Sequence, residues 1–127
     1  MATGIEAGQS MSWERTFTHE DVRAFAAVTH DRGRHHEEPD AQGRLRVHGL
    51  LTASLPTRLG GDLHYLAKLM TFEFMRPVFT GDTCTCTFTA NEVTLEPGRQ
   101  RLKGSAVVVN QQGKEVLRAT FDGVILT

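Results

Sequence analysis

The stretch Gly49–Leu59, GLLTASLPTRL, decides the fold, because it is apolar nearly all the way round. A helix without a polar stripe belongs inside a domain rather than on its surface. His48 precedes it, the small residues Ala53 and Ser54 sit within it, and Gly60-Gly61 follows as a natural stop. Pro56 lacks a backbone N–H and is expected to bend this helix near its end.

Downstream of that helix the pattern becomes strand-like. Leu66–Met75 reads as a strand carrying Phe72 and Phe74 on one face. Asp82–Ala90 alternates Thr83, Thr85, Thr87 and Thr89 against Cys84, Cys86, Phe88 and Ala90. Pro97-Gly98 marks a turn, and Gln100–Asn110 and Glu115–Ile125 are two more strands joined by a hairpin-like connection through Gly113. Upstream, Met11–Phe17 reads as a short strand. Thr18 then caps a helix over Thr18–Thr29, with Glu20 and Asp21 at the positive end of its dipole. Val22, Phe25, Ala26 and Thr29 recur at helical spacing, so one face of it is buried. The order is strand, helix, loop, buried helix, then four strands in meander. That order predicts an α+β domain over residues 11–127, an antiparallel β-sheet wrapped around a central buried helix.

Composition agrees with a single domain. The chain has 127 residues, 39% of them hydrophobic and 23% charged, with a net charge of −1. Its basic residues are dispersed, so no field draws it to nucleic acid or to an anionic membrane. No stretch approaches the ~20 apolar residues of a membrane span. The opening MATGIEAGQS has neither a basic nor an apolar signal region, so a cytoplasmic protein with residues 1–10 as a flexible tail is expected. Cys84 and Cys86 stand on one face of a strand, roughly 6.6 Å apart, too far for a relaxed disulfide. They read as small buried hydrophobes.

Between His30 and Val47 the periodicity stops, and Gly33, Pro39 and Gly43 punctuate a loop crowded with His, Arg, Glu and Asp. Long aperiodic loops of this kind are usually functional. Asp31 and His36 form a carboxylate–imidazole pair suited to moving a proton. Gly49, at the start of the buried helix, offers backbone N–H groups that polarise a carbonyl. His30, His35, His36, Glu37 and Glu38 carry metal-ligating groups, but adjacent histidines rarely converge on one ion, and no metal is expected. Arg32, Arg34, Arg44 and Arg46 suit phosphate recognition or plain solvation, and both readings stay open. His48 is expected to pack or to donate a hydrogen bond rather than to react. Trp13 and Tyr65 are expected to pack.

Several of these pieces, in order, resemble the MaoC-like (R)-specific enoyl-CoA hydratase/dehydratase family, which has the hotdog fold. They are Phe17-Thr18-x-Glu20-Asp21-Val22-x-x-Phe25-Ala26, then Asp31 with His36, then His48-Gly49-Leu50-Leu51-Thr52-Ala53-Ser54-Leu55. Phe72-x-Phe74-x-Arg76-Pro77-Val78 and Gly81-Asp82-Thr83 complete the set. The resemblance runs from about Phe17 to Ile125. It implies addition of water to a trans-2-enoyl thioester of coenzyme A or acyl carrier protein, or the reverse dehydration, without a cofactor. It places Asp31 and His36 as the catalytic pair and the Gly49 N–H as oxyanion donor. His48, Ser54 and Thr57 join the substrate-binding set, Thr57 standing where the family usually has Ser. A homodimer is implied, because hotdog sheets pair edge to edge.

The chain departs from the family pattern in its loop. The family's Asp-x-Asn-Pro-x-His is Asp31-Arg32-Gly33-Arg34-His35-His36 here, and the segment from His36 to His48 is shorter. Two further functions belong to the same fold. One is an acyl-CoA thioesterase, which usually needs a carboxylate on or near the central helix; Gly49–Leu59 has none. The other is a non-catalytic acyl-CoA-binding domain.

Overall fold

The computed structural model describes residues 5–127. Its elements are β1 (Ser10–Thr16), α1 (His19–Thr29), α2 (Arg34–Glu37), α3 (Gly49–Asp62), β2 (Tyr65–Phe74), β3 (Thr83–Glu96), β4 (Arg99–Val109) and β5 (Glu115–Leu126). The five strands form one antiparallel sheet in the order β1-β3-β4-β5-β2. Helix α3 packs against β1, β2 and β3, so a single buried helix lies within one curved sheet. This is the hotdog architecture.

The core follows from the alternation seen in sequence. Cys84, Cys86, Phe88 and Ala90 of β3 point inward, while the threonines between them are half-buried or exposed. They meet Leu51, Leu55 and Leu59 of α3 in the same apolar cluster. The Trp13 indole donates to the Leu55 carbonyl at 2.9 Å and fastens β1 to the middle of the helix. Both thiols are free, and burial pushes Cys84 up to about 11 and Cys86 up to about 12. They are inert packing groups at neutral pH.

Four features differ from the sequence expectation, each for a local reason. Helix α3 does not stop at Gly60-Gly61 but runs to Asp62. Gly60 is packed beside Tyr65, and the chain reverses at His64, which takes φ 56°. The meander holds for β3, β4 and β5 only. β2 pairs with β5 at the opposite edge from β1, with Tyr65 opposite Ile125 and Phe74 opposite Leu117. Residues 75–82 cannot form a hairpin turn because they are bonded elsewhere: Val47 N–H donates to Val78 O at 2.8 Å, and Thr80 N–H to Leu45 O at 2.9 Å. The loop after α1 contains the one-turn helix α2. Of the expected tail, residues 1–4 lie outside the described residues, whereas Ile5 is buried in the core and the Gln100 side-chain amide donates to its carbonyl at 3.1 Å. Residues 6–10 are exposed, and the Gly8 N–H bonds Ala90 O at 2.8 Å.

Candidate active site

The site is built by the end of α1, by α2 and by the start of α3. Helix α1 ends at His30, whose φ of 64° turns the chain sharply and presents Asp31. Asp31 is then held locally. Its N–H donates to Thr29 Oγ1 at 3.2 Å, and its Oδ1 accepts the Gly33 N–H at 3.3 Å. An aspartate bonding the backbone two residues on is a common turn former, and Gly33 makes the tight turn easy. His36 N–H closes the next turn onto Gly33 O at 2.9 Å, which directs the His36 ring inward.

His36 Nδ1 lies 2.6 Å from the carbonyl oxygen of Arg46. A carbonyl only accepts, so Nδ1 carries a proton, and in the neutral ring the lone pair is on Nε2. His48 Nε2 lies 2.9 Å from the carbonyl of Asp31 and is protonated by the same logic. The His48 ring stacks on that of His36, with centroids 3.7 Å apart and planes 18° apart, and Phe25 covers it at 4.7 Å. An Asp31 carboxylate oxygen and ring nitrogens of His36 and His48 thus lie within 4.8 Å of one another. His48 Nδ1 is buried without a partner among the described residues, a cost of about 1–3 kcal/mol for a stranded acceptor.

These three residues are an unsuitable metal cradle. Imidazole lone pairs lie in the ring plane, and an ion must sit about 2 Å from each nitrogen. Two nearly parallel rings stacked 3.7 Å apart do not aim their lone pairs at one such point. One nitrogen of each ring is also engaged by a carbonyl. The arrangement suits proton transfer.

A cavity of about 320 Å³ opens beside His36 and is lined also by His35, Arg46, Gly49, Thr52, Phe74, Met75 and Arg76, among others, whereas Asp31 and His48 do not line it. Gly49 is the first residue of α3, so its N–H has no partner within the helix. A Cβ at Gly49 would come within 3.0 Å of the Phe74 ring, so glycine is the residue that fits without displacing that wall. His35 borders the same cavity. Burial, then the adjacent His36 and Arg46, hold its imidazole below the ordinary 6.5.

Ser54 and Thr57 lie farther along α3, and neither lines this cavity. Ser54 Oγ donates to Leu51 O at 2.5 Å and Thr57 Oγ1 to Ser54 O at 2.8 Å, so both hydroxyls bond back to their own helix. Thr57 borders instead a separate apolar cavity of about 110 Å³ with Gly60, Tyr65, Met70, Phe88 and Phe121. The four loop arginines divide cleanly. Arg32 pairs with Glu37, Arg34 with Glu38 and Arg44 with Asp40, while Arg46 has no carboxylate partner among the described residues. Sequence reasoning assigned no role to Phe74, Met75 and Arg76. Their signal was the Phe74-x-Arg76-Pro77 run, which the fold folds back over the start of α3.

No family model matches the chain, and no curated protein does. Solved structures do. An (R)-hydratase from A. caviae involved in PHA biosynthesis is 28% identical, with a TM-score of 0.81, covering 99% of this chain and 100% of that one. The R-hydratase PhaJ1 from Pseudomonas aeruginosa is 24% identical, TM-score 0.81, over 96% of this chain and 82% of that one. A MaoC-like dehydratase from Rhodospirillum rubrum is 20% identical, TM-score 0.77, over 96% and 93%. The chain thus has the hotdog fold and is similar to MaoC-like dehydratases and (R)-hydratases of that fold.

Proposed function

We propose that this protein adds water across the double bond of a trans-2-enoyl thioester with (R) stereochemistry, or removes it from the 3-hydroxyacyl thioester. The observation that carries the reading is an Asp31 carboxylate oxygen within 4.8 Å of a His36 ring nitrogen, next to a cavity that His36 and Gly49 line. Water held between Asp31 and the free Nε2 of His36 gives up a proton as its oxygen bonds to C3 of the enoyl group. The electron pair moves through C2 to the thioester oxygen, which the Gly49 N–H stabilises. A proton then returns to C2 from the same pair, and no external oxidant or cofactor is needed.

The carrier is coenzyme A or acyl carrier protein. Arg46, without a carboxylate partner among the described residues and shared between this cavity and a neighbouring one of about 440 Å³, meets its phosphate. A thioesterase fits less well, since Asp62, at the far end, is the one acidic residue on α3. The edge strand β2 exposes Leu66, Leu69, Met70 and Phe74, an apolar edge that a second copy of the chain would cover in a homodimer. Among the described residues no helix is long and apolar enough to cross a membrane. Buried free thiols are in keeping with a cytoplasmic location.

The test is loss of enoyl absorbance when purified protein meets a short trans-2-enoyl-CoA. Asp31→Asn and His36→Ala should each lower kcat by roughly 10²–10⁴. Wild-type turnover in both variants would refute the assignment.

A further inference from the structure

The local bonds hold Asp31 to Thr29 and Gly33, and His36 to Gly33 and Arg46, but none joins the carboxylate to the imidazole. Between them lies Gly33, the most permissive residue for a backbone, and helix α2 has only one turn. A contact to both residues from outside this loop would fix where the carboxylate stands relative to the imidazole.

We propose that His48 is the positioning residue that fixes this pair, an inference that rests on the hydratase reading above. It grips both partners by different means. Its Nε2–H holds the Asp31 carbonyl at 2.9 Å, and its ring face lies 3.7 Å from that of His36. Phe25 presses on it from α1, and its side chain is 1% exposed, so it has no room to swing away. The bond to Asp31 is the larger part of this grip and the flat face on His36 the smaller. The same residue immediately precedes Gly49, so one side chain sets the acid–base pair relative to the oxyanion donor. The unpartnered Nδ1 supports this role: a residue chosen for packing alone would carry no stranded polar atom.

Two variants separate the bond from the stack. His48→Phe keeps an aromatic face but loses the donor. His48→Gln loses the face but keeps an N–H near the position of Nε2. With a short trans-2-enoyl-CoA, His48→Phe should lose kcat about ten- to hundred-fold, the usual effect of removing a supporting hydrogen bond, with KM within about two-fold. His48→Gln should recover most of that loss. In parallel, amide exchange at Gly33 and His36 should speed about ten-fold in His48→Phe, with α3 unchanged, and return toward wild type in His48→Gln. Wild-type kcat in His48→Phe would overturn the proposal, as would equal impairment in both variants or a loss confined to KM. If the wild-type protein hydrates no enoyl thioester, the hydratase reading falls by itself, and unchanged exchange at Gly33 in His48→Phe still decides against the tie.

Discussion

Helices α1 and α3 both begin after an extended residue, yet their first turns are finished in opposite ways. At α1 the Thr18 hydroxyl accepts the Asp21 N–H at 3.1 Å, and Asp21 Oδ2 accepts the Thr18 N–H at 2.9 Å. Glu20 and Asp21 add negative charge where the dipole is positive. At α3 the capping position is His48, which makes no side-chain cap bond, and the first turn holds no acidic residue. The first N–H groups of a helix have no partner inside it. In α1 the Thr18 hydroxyl satisfies that of Asp21. In α3 it leaves Gly49 open at a cavity wall. The contrast teaches where to look for chemistry: a finished helix start stabilises the fold, and an unfinished one beside a titratable pair is available to a ligand.

The severest test of this contrast is to delete the Gly49 donor alone. Proline is well tolerated at the first helical position, and His48, with φ −59° and ψ 138°, already has the conformation a following proline demands. Gly49→Pro should therefore fold while lowering kcat about 10²–10³-fold, the usual effect of losing one oxyanion donor. Gly49→Ala places the same Cβ against Phe74 but keeps the N–H, and its kcat should fall much less. Equal losses in the two variants would assign the effect to crowding and break the contrast.

Much of this was legible in the sequence, and the limits have physical causes. The capped start of α1, the buried helix and the alternation of β3 are local patterns, and local patterns fix local structure. The placement of β2 beside β5 was not local. It follows from bonds between residues 75–82 and Leu45, Val47 and Phe17, partners that no periodicity announces. Gly60-Gly61 misled because a packed Tyr65 outweighs the intrinsic weakness of glycine in a helix. In the site, Asp31 and His36 were marked by spacing and resemblance. The stack of His36 on His48 arises only when the chain returns through the bond from Arg46 N–H to His35 O, at 2.9 Å.

Charge extends the same contrast with a smaller expected effect. The start of α1 supplies its own carboxylates, whereas the cavity at α3 is bordered by Arg46 and Arg76, neither paired with a carboxylate among the described residues. The negative charge there is left for the substrate to bring. Arg46→Ala should raise KM for an enoyl-CoA about ten-fold, roughly 1.4 kcal/mol, with kcat within about two-fold. A phosphate-free thioester of the same acyl group should show no change. A rise for both substrates would place Arg46 against the acyl part or the fold, and the contrast in charge would then fail.

The smallest effect belongs to the finished end, and it should touch stability alone. Thr18→Ala removes the cap acceptor and should cost about 1 kcal/mol, read from the denaturant midpoint at unchanged slope, with kcat intact. Burial pushes the Asp21 carboxyl up, but the Thr18 bonds and the Arg15 guanidinium at 2.6 Å outweigh it and hold it below its ordinary 3.8. A carboxylate depressed in the folded state stabilises above its unfolded value and loses that contribution as pH falls through the folded one. The stability difference between wild type and Asp21→Asn should therefore be present at about pH 7 and shrink below about pH 4. A difference that does not change with pH would show that Asp21 acts through shape rather than charge. A fall in kcat in Thr18→Ala would show that the two helix starts are not separate in function.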